Sequence, residues 1–376
     1  MYLYSSFAIY EQNQNFDVIN GTVEDPGDLY FAFYVDDVIS STMPSKDSGY
    51  TLDTEKSSCT NGATPLLNED TWSIKVSNLT TTHTKCTLYF TVKPFSETLA
   101  NCGTINNAAQ CFLDNAKQNQ TELVLDSTAD NNLRYIGANP NNYVRFNDEL
   151  WRIIGVFNNI DNGTGTLESR LKIIRDEPYN TSANWHVSSS NDWTSLSALR
   201  IEFNGTFLSS ISSSYRNMMG NAVWHLGGAV TYNSSGNGLA RHWYTYERGT
   251  RVYSGNKTEW TGQIALMYPS DYGFATSGGS TRSRVECLSK ELYNWNDTEY
   301  ADCYTNDWLY NSKNAEWTLT SYSGSQTYIF TVMTSGKIDT SVVSSFLAAT
   351  PTLYLSSQVR ITSGSGTSSD PYILSL

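Results

Sequence analysis

The sequence predicts two domains, an all-β sandwich in front of a larger α+β domain. At 376 residues the chain is longer than one hydrophobic core ordinarily serves. Its first part consists of short aromatic and β-branched runs bounded by Asn, Asp, Gly and Ser, the pattern of strands joined by turns. Beyond it, strand-like runs stand at both ends with helix-period segments between them. The two ends are therefore expected to pair in one sheet, with long loops on one side.

Taken in order, residues 1–20 open with MYLYSSFAIY, which is apolar but too short to span a bilayer, a task needing about 20 apolar residues. They read as a first strand or as the stub of a truncated anchor. Residues 21–94 form the β-domain, with Leu29–Val35, Trp72–Val76 and Cys86–Val92 as strands and turns at Ser48–Gly49 and Asn61–Gly62. Residues 95–128 read as a connector, weakly helical through Leu99, Ala108, Ala109, Phe112, Leu113 and Ala116. In residues 129–376, strands are expected at Tyr135–Ile136, Tyr143–Phe146, Leu150–Phe157 and Leu171–Ile174. Helices are expected over Trp193–Phe203 and Asn217–Leu226. A long aromatic, Gly-rich stretch from Trp243 to Gly279 contains one buried strand, Ile264–Tyr268. Trp317–Leu319, Tyr328–Val332, Thr352–Leu355 and Tyr372–Leu374 close the domain, and Ser363–Ser369 reads as a hairpin turn.

Composition narrows the function. With 24 Lys and Arg against 37 Asp and Glu, the net charge is −13, which repels phosphate backbones, so nucleic acid is excluded as a partner. Charged residues are only 16%, so the surface is polar rather than ionic, as suits hydrogen-bonded turns. The 6 Cys contain no CxxC pair, and joining neighbours in order predicts Cys59–Cys86, Cys102–Cys111 and Cys287–Cys303. An even count in a turn-rich chain fits an oxidising, extracellular setting better than six buried thiols do.

The run DNNLRYIGANPNNYVRFNDELWRIIGVF, from Asp130 to Phe157, is similar to the opening of a domain in uncharacterised surface proteins of gut Gram-positive bacteria. NAVWHLG at Asn221–Gly227, YERGT at Tyr246–Thr250, GQIALMYPSDYG at Gly262–Gly273, NDWLY at Asn306–Tyr310 and the stretch Thr352–Leu376 extend the likeness. The resemblance implies a C-type-lectin-like domain of the formylglycine-generating-enzyme-like branch for residues 129–376. The segments Val23–Tyr34, Gly49–Cys59 and Lys85–Thr91 resemble the Ig-like module of the same proteins, which implies an Ig-like sandwich for residues 21–94. Members of that family carry no assigned ligand.

Catalytic signatures are scarce. Formylglycine-type chemistry needs a reactive cysteine pair, whereas Cys287 and Cys303 read as a loop staple. His83, His186, His225 and His242 form no HxxxH or HxH pair, and His225 reads as a core histidine. The SxxK spacings at Ser169–Lys172 and Ser254–Lys257 lack the companion motifs that give them meaning. Asp302 with Asp307, or Glu247 with Glu259, are carboxylate pairs whose separation a sequence cannot state. No cofactor is expected, with calcium at Asp161–Gly163 or Asn294–Asp297 as the one alternative.

Ligand binding has the stronger compositional basis. Trp243, Tyr244, Tyr246, Arg248, Tyr253 and Trp260 crowd one stretch, offering flat rings beside directional polar groups that sugars and protein surfaces both accept. The expected function is thus non-catalytic recognition or adhesion at the cell surface, toward a glycan or a protein. Two alternatives stand beside it. One is a filament or pilus-like subunit that assembles with its own copies by adding Tyr2–Tyr10 to a neighbouring sheet edge. The other is a phage-derived receptor-binding protein.

Overall fold

The computed structural model describes residues 29–44, 50–68, 71–79, 83–92, 108–115 and 122–376. Among the described residues strand takes 38% and helix 19%, so the architecture is β-dominated. The chain divides into two compact units, Met1–Phe95 and Ser96–Leu376. Residues 1–20, the Ser48–Gly49 turn and Cys102 lie outside the described residues.

The first unit contains β1 (Leu29–Val35), β2 (Val38–Ser40), β3 (Tyr50–Leu52), β4 (Ser58–Cys59), β5 (Thr64–Asn68), β6 (Ser73–Ser77) and β7 (Thr84–Val92). One sheet runs β2-β1-β7-β3, with β4 also on β7, while β5 and β6 form a separate hairpin. β1 and β7 are parallel along their paired length. Asp36 and Asp37, at φ 50° and 62°, make the two-residue turn into β2, the left-handed pair that matches strand twist. Ile74 and Val76 of the hairpin pack with Leu88, Phe90 and Leu52 of the sheet, so two β-layers share one core. Cys59 and Cys86 face each other across β4 and β7 and are disulfide-bonded.

The stretch read as a weakly helical connector falls within the second unit, Ser96–Leu376. Helix α1 (Ala108–Asn115) buries Ala108, Ala109 and Phe112. Phe112 sits edge-on to Tyr135 and Tyr372 at 6.0 and 6.1 Å. β8 (Leu123–Leu125) then joins the main sheet through β9 (Leu133–Tyr135). Next come β10 (Tyr143–Phe146), β11 (Glu149–Asp161), β12 (Leu167–Arg175), β13 (Asn180–Ala183) and β14 (Ala222–His225). Helix α2 (Ala240–Glu247) leads to β15 (Glu259–Gly262) and β16 (Ile264–Ala265), followed by helix α3 (Pro269–Ala275). The unit closes with β17 (Glu316–Ser321), β18 (Tyr328–Val332), β19 (Ile338–Val342), β20 (Leu347–Ala349), β21 (Thr352–Tyr354), β22 (Arg360–Ser363) and β23 (Tyr372–Ser375).

The main sheet runs β16-β21-β12-β11-β10-β23-β22. The two ends of the unit do meet in it, because β10 pairs in parallel with β23 through Val144 and Tyr372. β11 serves two neighbours on one edge, β10 along Glu149–Arg152 and β9 at Gly155–Val156. A second sheet runs β13-β20-β17-β18-β19, and β14 pairs with β15.

Two helix expectations fail for local reasons. Trp193–Phe203 is helical only from Ala198, because Leu196 takes a left-handed φ of 56° and Ser197 caps the helix that follows. In place of a helix over Asn217–Leu226, a short helix ends at Met218 and β14 begins at Ala222. Pairing with Glu259–Gly262, far away in sequence, outweighs the helical period there.

Gly155 is required by close packing. A Cβ there would lie 1.9 Å from the backbone oxygen of Leu133, which β9 cannot yield. Gly155→Ala is expected to cost at least about 2 kcal/mol in chemical denaturation; an unchanged midpoint would refute the β9–β11 approach.

Candidate functional site

The aromatic stretch from Trp243 to Trp260 is not a single exposed loop, and that expectation is corrected. Trp243 and Tyr244 lie on α2, and both are buried. Trp243 packs edge-on against Phe330 at 4.5 Å and beside Tyr232 at 6.0 Å. Tyr246, Arg248, Tyr253 and Trp260 are half-buried. The helix divides the set, because its 3.6-residue period turns Trp243, Tyr244 and Glu247 inward together.

Tyr244 and Arg248 belong to a polar network that runs inward from the surface. Arg248 stacks on the Tyr244 ring at 3.4 Å and lies 3.7 Å from Asp130 and 3.5 Å from Glu247. The Tyr244 hydroxyl donates to Asp130 and accepts from Asn132 Nδ2 at 3.0 Å. Asn132 in turn donates to Asp126, which also accepts from Arg134 Nε at 3.0 Å. Arg134 Nη1 reaches Asp271 Oδ1 at 2.7 Å, and Lys172 Nζ reaches Asp271 Oδ2 at 2.5 Å. Asp271 also accepts the Tyr268 amide, which forms the N-terminal cap of α3.

Burial sets the protonation of these groups. It pushes the Asp271 carboxyl up, but Lys172 and Arg134 outweigh it, and the group titrates below the ordinary carboxylate range. Burial pulls the Lys172 ammonium down to about 8 against the attraction of Asp271. Glu247, fully buried and accepting from the Ser270 amide and hydroxyl, is pushed up to about 7 by burial despite Arg248.

The loops around His186 carry three of the unit's exposed apolar side chains. His186 is buried, and its Nδ1 accepts the Ser188 amide, so Nε2–H donates to the Ser195 carbonyl at 2.5 Å. Its backbone amide binds Val343 O, and Asn184 Nδ2 donates to Ser344 O at 2.6 Å. Asn191, also buried, donates to the carbonyls of Tyr322, Ser325 and Tyr328 and accepts from Asn256 Nδ2 at 2.8 Å. Four loops are thereby tied together.

From these tied loops Val187, Leu196 and Phe346 project at 78, 69 and 67% exposure. Trp260 borders them through an edge-on contact with Trp193 at 6.0 Å. The cavity beneath, bounded by Asn191, Trp193, Leu226 and Asn256, holds about 10 Å³. That is room for about one water. Sequence reasoning missed all three exposed residues. The available signal was their placement beside serines, in HVSSS, TSLSA and SSFLA.

The other candidate groups are dispersed. Glu247 is buried, whereas Glu259 is exposed and lies 3.3 Å from His225, which is half-buried and not a core residue. Asp302 caps the Thr281–Arg282 turn, while Asp307 is buried and pushed well up by desolvation. Ser169 bonds Asn158 and not Lys172. Cys287 and Cys303 are disulfide-bonded and buried, and Cys111 is disulfide-bonded as well. Of the calcium candidates, Asp161 accepts the amides of Gly163 and Gly165, and Asp297 pairs with Lys290 at 3.2 Å. Among the described residues no group of three or more metal-type side chains converges.

No protein-family profile matches this chain, and neither a curated protein nor a solved structure matches it.

Trp243→Ala is expected to cost about 3–5 kcal/mol, as for a large ring removed from a core. Phe346→Ala is expected to change stability by no more than about 0.5 kcal/mol. Equal losses in urea titrations would contradict the division drawn here. For Glu247, a folded value of about 7 above an ordinary 4.5 means the folded state holds the extra proton between those pH values. Its contribution is complete below the lower value and is lost as pH rises through the upper one. Melting temperatures measured from pH 5 to 8 are expected to fall with pH, and Glu247→Gln to reduce that slope; an identical slope in the variant would exclude Glu247 as its source.

Proposed function

We propose that this chain is a non-catalytic extracellular recognition protein whose second unit presents the loops around His186, Asn191 and Phe346 to a glycan or a cell-surface protein. One observation carries the reading. Three large apolar side chains project from loops tied together by Asn184, His186 and Asn191. Apolar side chains held outward on a preorganised set of loops mark a binding surface, since little ordering entropy is left to lose on contact.

Leu196 sharpens the reading. A leucine at left-handed φ is strained by about 1–2 kcal/mol, and a glycine would relieve that strain while removing the exposed side chain. Cys59–Cys86 and Cys287–Cys303 are consistent with a secreted location. Among the described residues no helix is long and apolar enough to cross a membrane. The C-type-lectin-like and Ig-like identities, suggested by sequence resemblance, belong to this proposal too, and both folds commonly carry ligands on loops.

Val38 and Ile39, exposed at 68 and 71% on β2, an edge strand among the described residues, favour a second reading, assembly through this apolar edge. Concentration-dependent sedimentation that Ile39→Lys abolishes would support it.

The main test is a glycan, mucin and cell-surface-protein array probed with the purified chain. Wild type is expected to bind, and Leu196→Gly with Phe346→Glu to bind at least about tenfold more weakly with a melting temperature no lower than that of wild type. Unchanged binding by that folded variant would remove this face from consideration.

A further inference from the structure

Lys172 and Asp271 are separated by 99 positions in sequence, yet Nζ and Oδ2 stand 2.5 Å apart with both side chains fully buried. The rings of Phe157, Trp224, Tyr268 and Tyr354 surround the ammonium, their centroids 4.4 to 5.5 Å from Nζ. Oδ1 is held separately by Arg134 at 2.7 Å, and the Tyr268 amide fixes Oδ2 at 2.8 Å. A primary amine is thus confined against a carboxyl carbon, with the carboxyl oriented by two further donors. Such confinement replaces a bimolecular encounter by a local one, which is worth orders of magnitude in effective concentration.

We infer that Lys172 and Asp271 are joined by an isopeptide bond that the folded chain forms by itself. The step balances without a co-reactant. One proton passes from the Lys172 ammonium to Oδ2 along the existing hydrogen bond, leaving a neutral amine and a neutral acid. Nζ then attacks Cγ, and Arg134 stabilises the negative charge that develops on Oδ1. The Cγ–Oδ2 bond breaks, and Oδ2 departs as water with two of the three ammonium protons. The third proton stays on the amide nitrogen, and Oδ1 becomes the amide oxygen.

The surroundings favour this direction. A buried ion pair carries the desolvation cost of both charges, whereas the amide carries neither and still accepts from Arg134. Arg134 keeps its own counter-charge in Asp126, so no uncompensated charge remains. Burial lowers the Lys172 ammonium to about 8, which brings the neutral amine nearer, while Lys172 and Arg134 hold the Asp271 carboxyl low and oppose its protonation; the confined geometry is what carries the step. The bond would staple β12, an interior strand of the main sheet, to the first turn of α3.

The test is the intact mass of the full chain, denatured and with its disulfides reduced. Wild type is expected one water lighter than its sequence, and proteolysis to yield one branched peptide joining the segments around Lys172 and Asp271. Lys172→Met, folded or not, is expected at its full sequence mass. A wild-type chain at full sequence mass overturns the inference. So does a water loss that persists in Lys172→Met or maps away from this pair.

Discussion

The carboxyl group of Asp271 meets Arg134 from β9, Lys172 from β12 and the backbone amide that starts α3, all out of reach of water. Through Arg134 it is tied to Asp126 beside β8, and through the neighbouring Ser270 to Glu247 at the end of α2. The two helices are thereby keyed to the sheet at one point. Charges buried in this way contribute little net stability, because desolvation offsets most of their attraction. Their effect is on specificity, since any other seating of α3 would leave Lys172 buried without a counter-charge, whereas Arg134 would keep only Asp126.

That anchored interior is what allows the opposite resource, loops that need no core of their own. Asn191 spends its amide on three carbonyls, and His186 spends both ring nitrogens on the loop that contains it. With backbone groups satisfied internally, Val187, Leu196 and Phe346 have no structural task and stand in solvent. The arrangement separates the polar groups that hold the loops from the apolar groups available for contact.

Strands were the legible part of the fold. Leu29–Val35, Tyr143–Phe146 and Tyr328–Val332 occupy the positions their β-branched and aromatic runs predict, and β23 closes onto β10 as the placing of strands at both ends implies. Helices were less legible because they are short, and short helices owe their existence to tertiary contacts. Ala222–His225 shows the converse, since a partner strand that lies far along the chain converts a helix-period segment into β-structure. The candidate site was only partly readable. Aromatic content drew attention to Trp243–Trp260, but nothing in composition says which face of α2 turns inward, so Trp243 and Trp260 were grouped although only Trp243 is core.

The amino-acid sequence by itself determined a strand-rich, two-unit chain with a polar, weakly charged surface, because periodicity, turn residues and charge are local properties. It also paired Cys59 with Cys86 and Cys287 with Cys303, where closeness in the chain coincides with closeness in space. Only the tertiary structure decided that Lys172 meets Asp271 and that His186 gathers Val187, Leu196 and Phe346 into one loop cluster. The contacts of Lys172 with Asp271, and of Asn184 and His186 with residues 343–345, join residues far apart along the chain. Their occurrence depends on how sheets and helices close over one another, which no local pattern encodes.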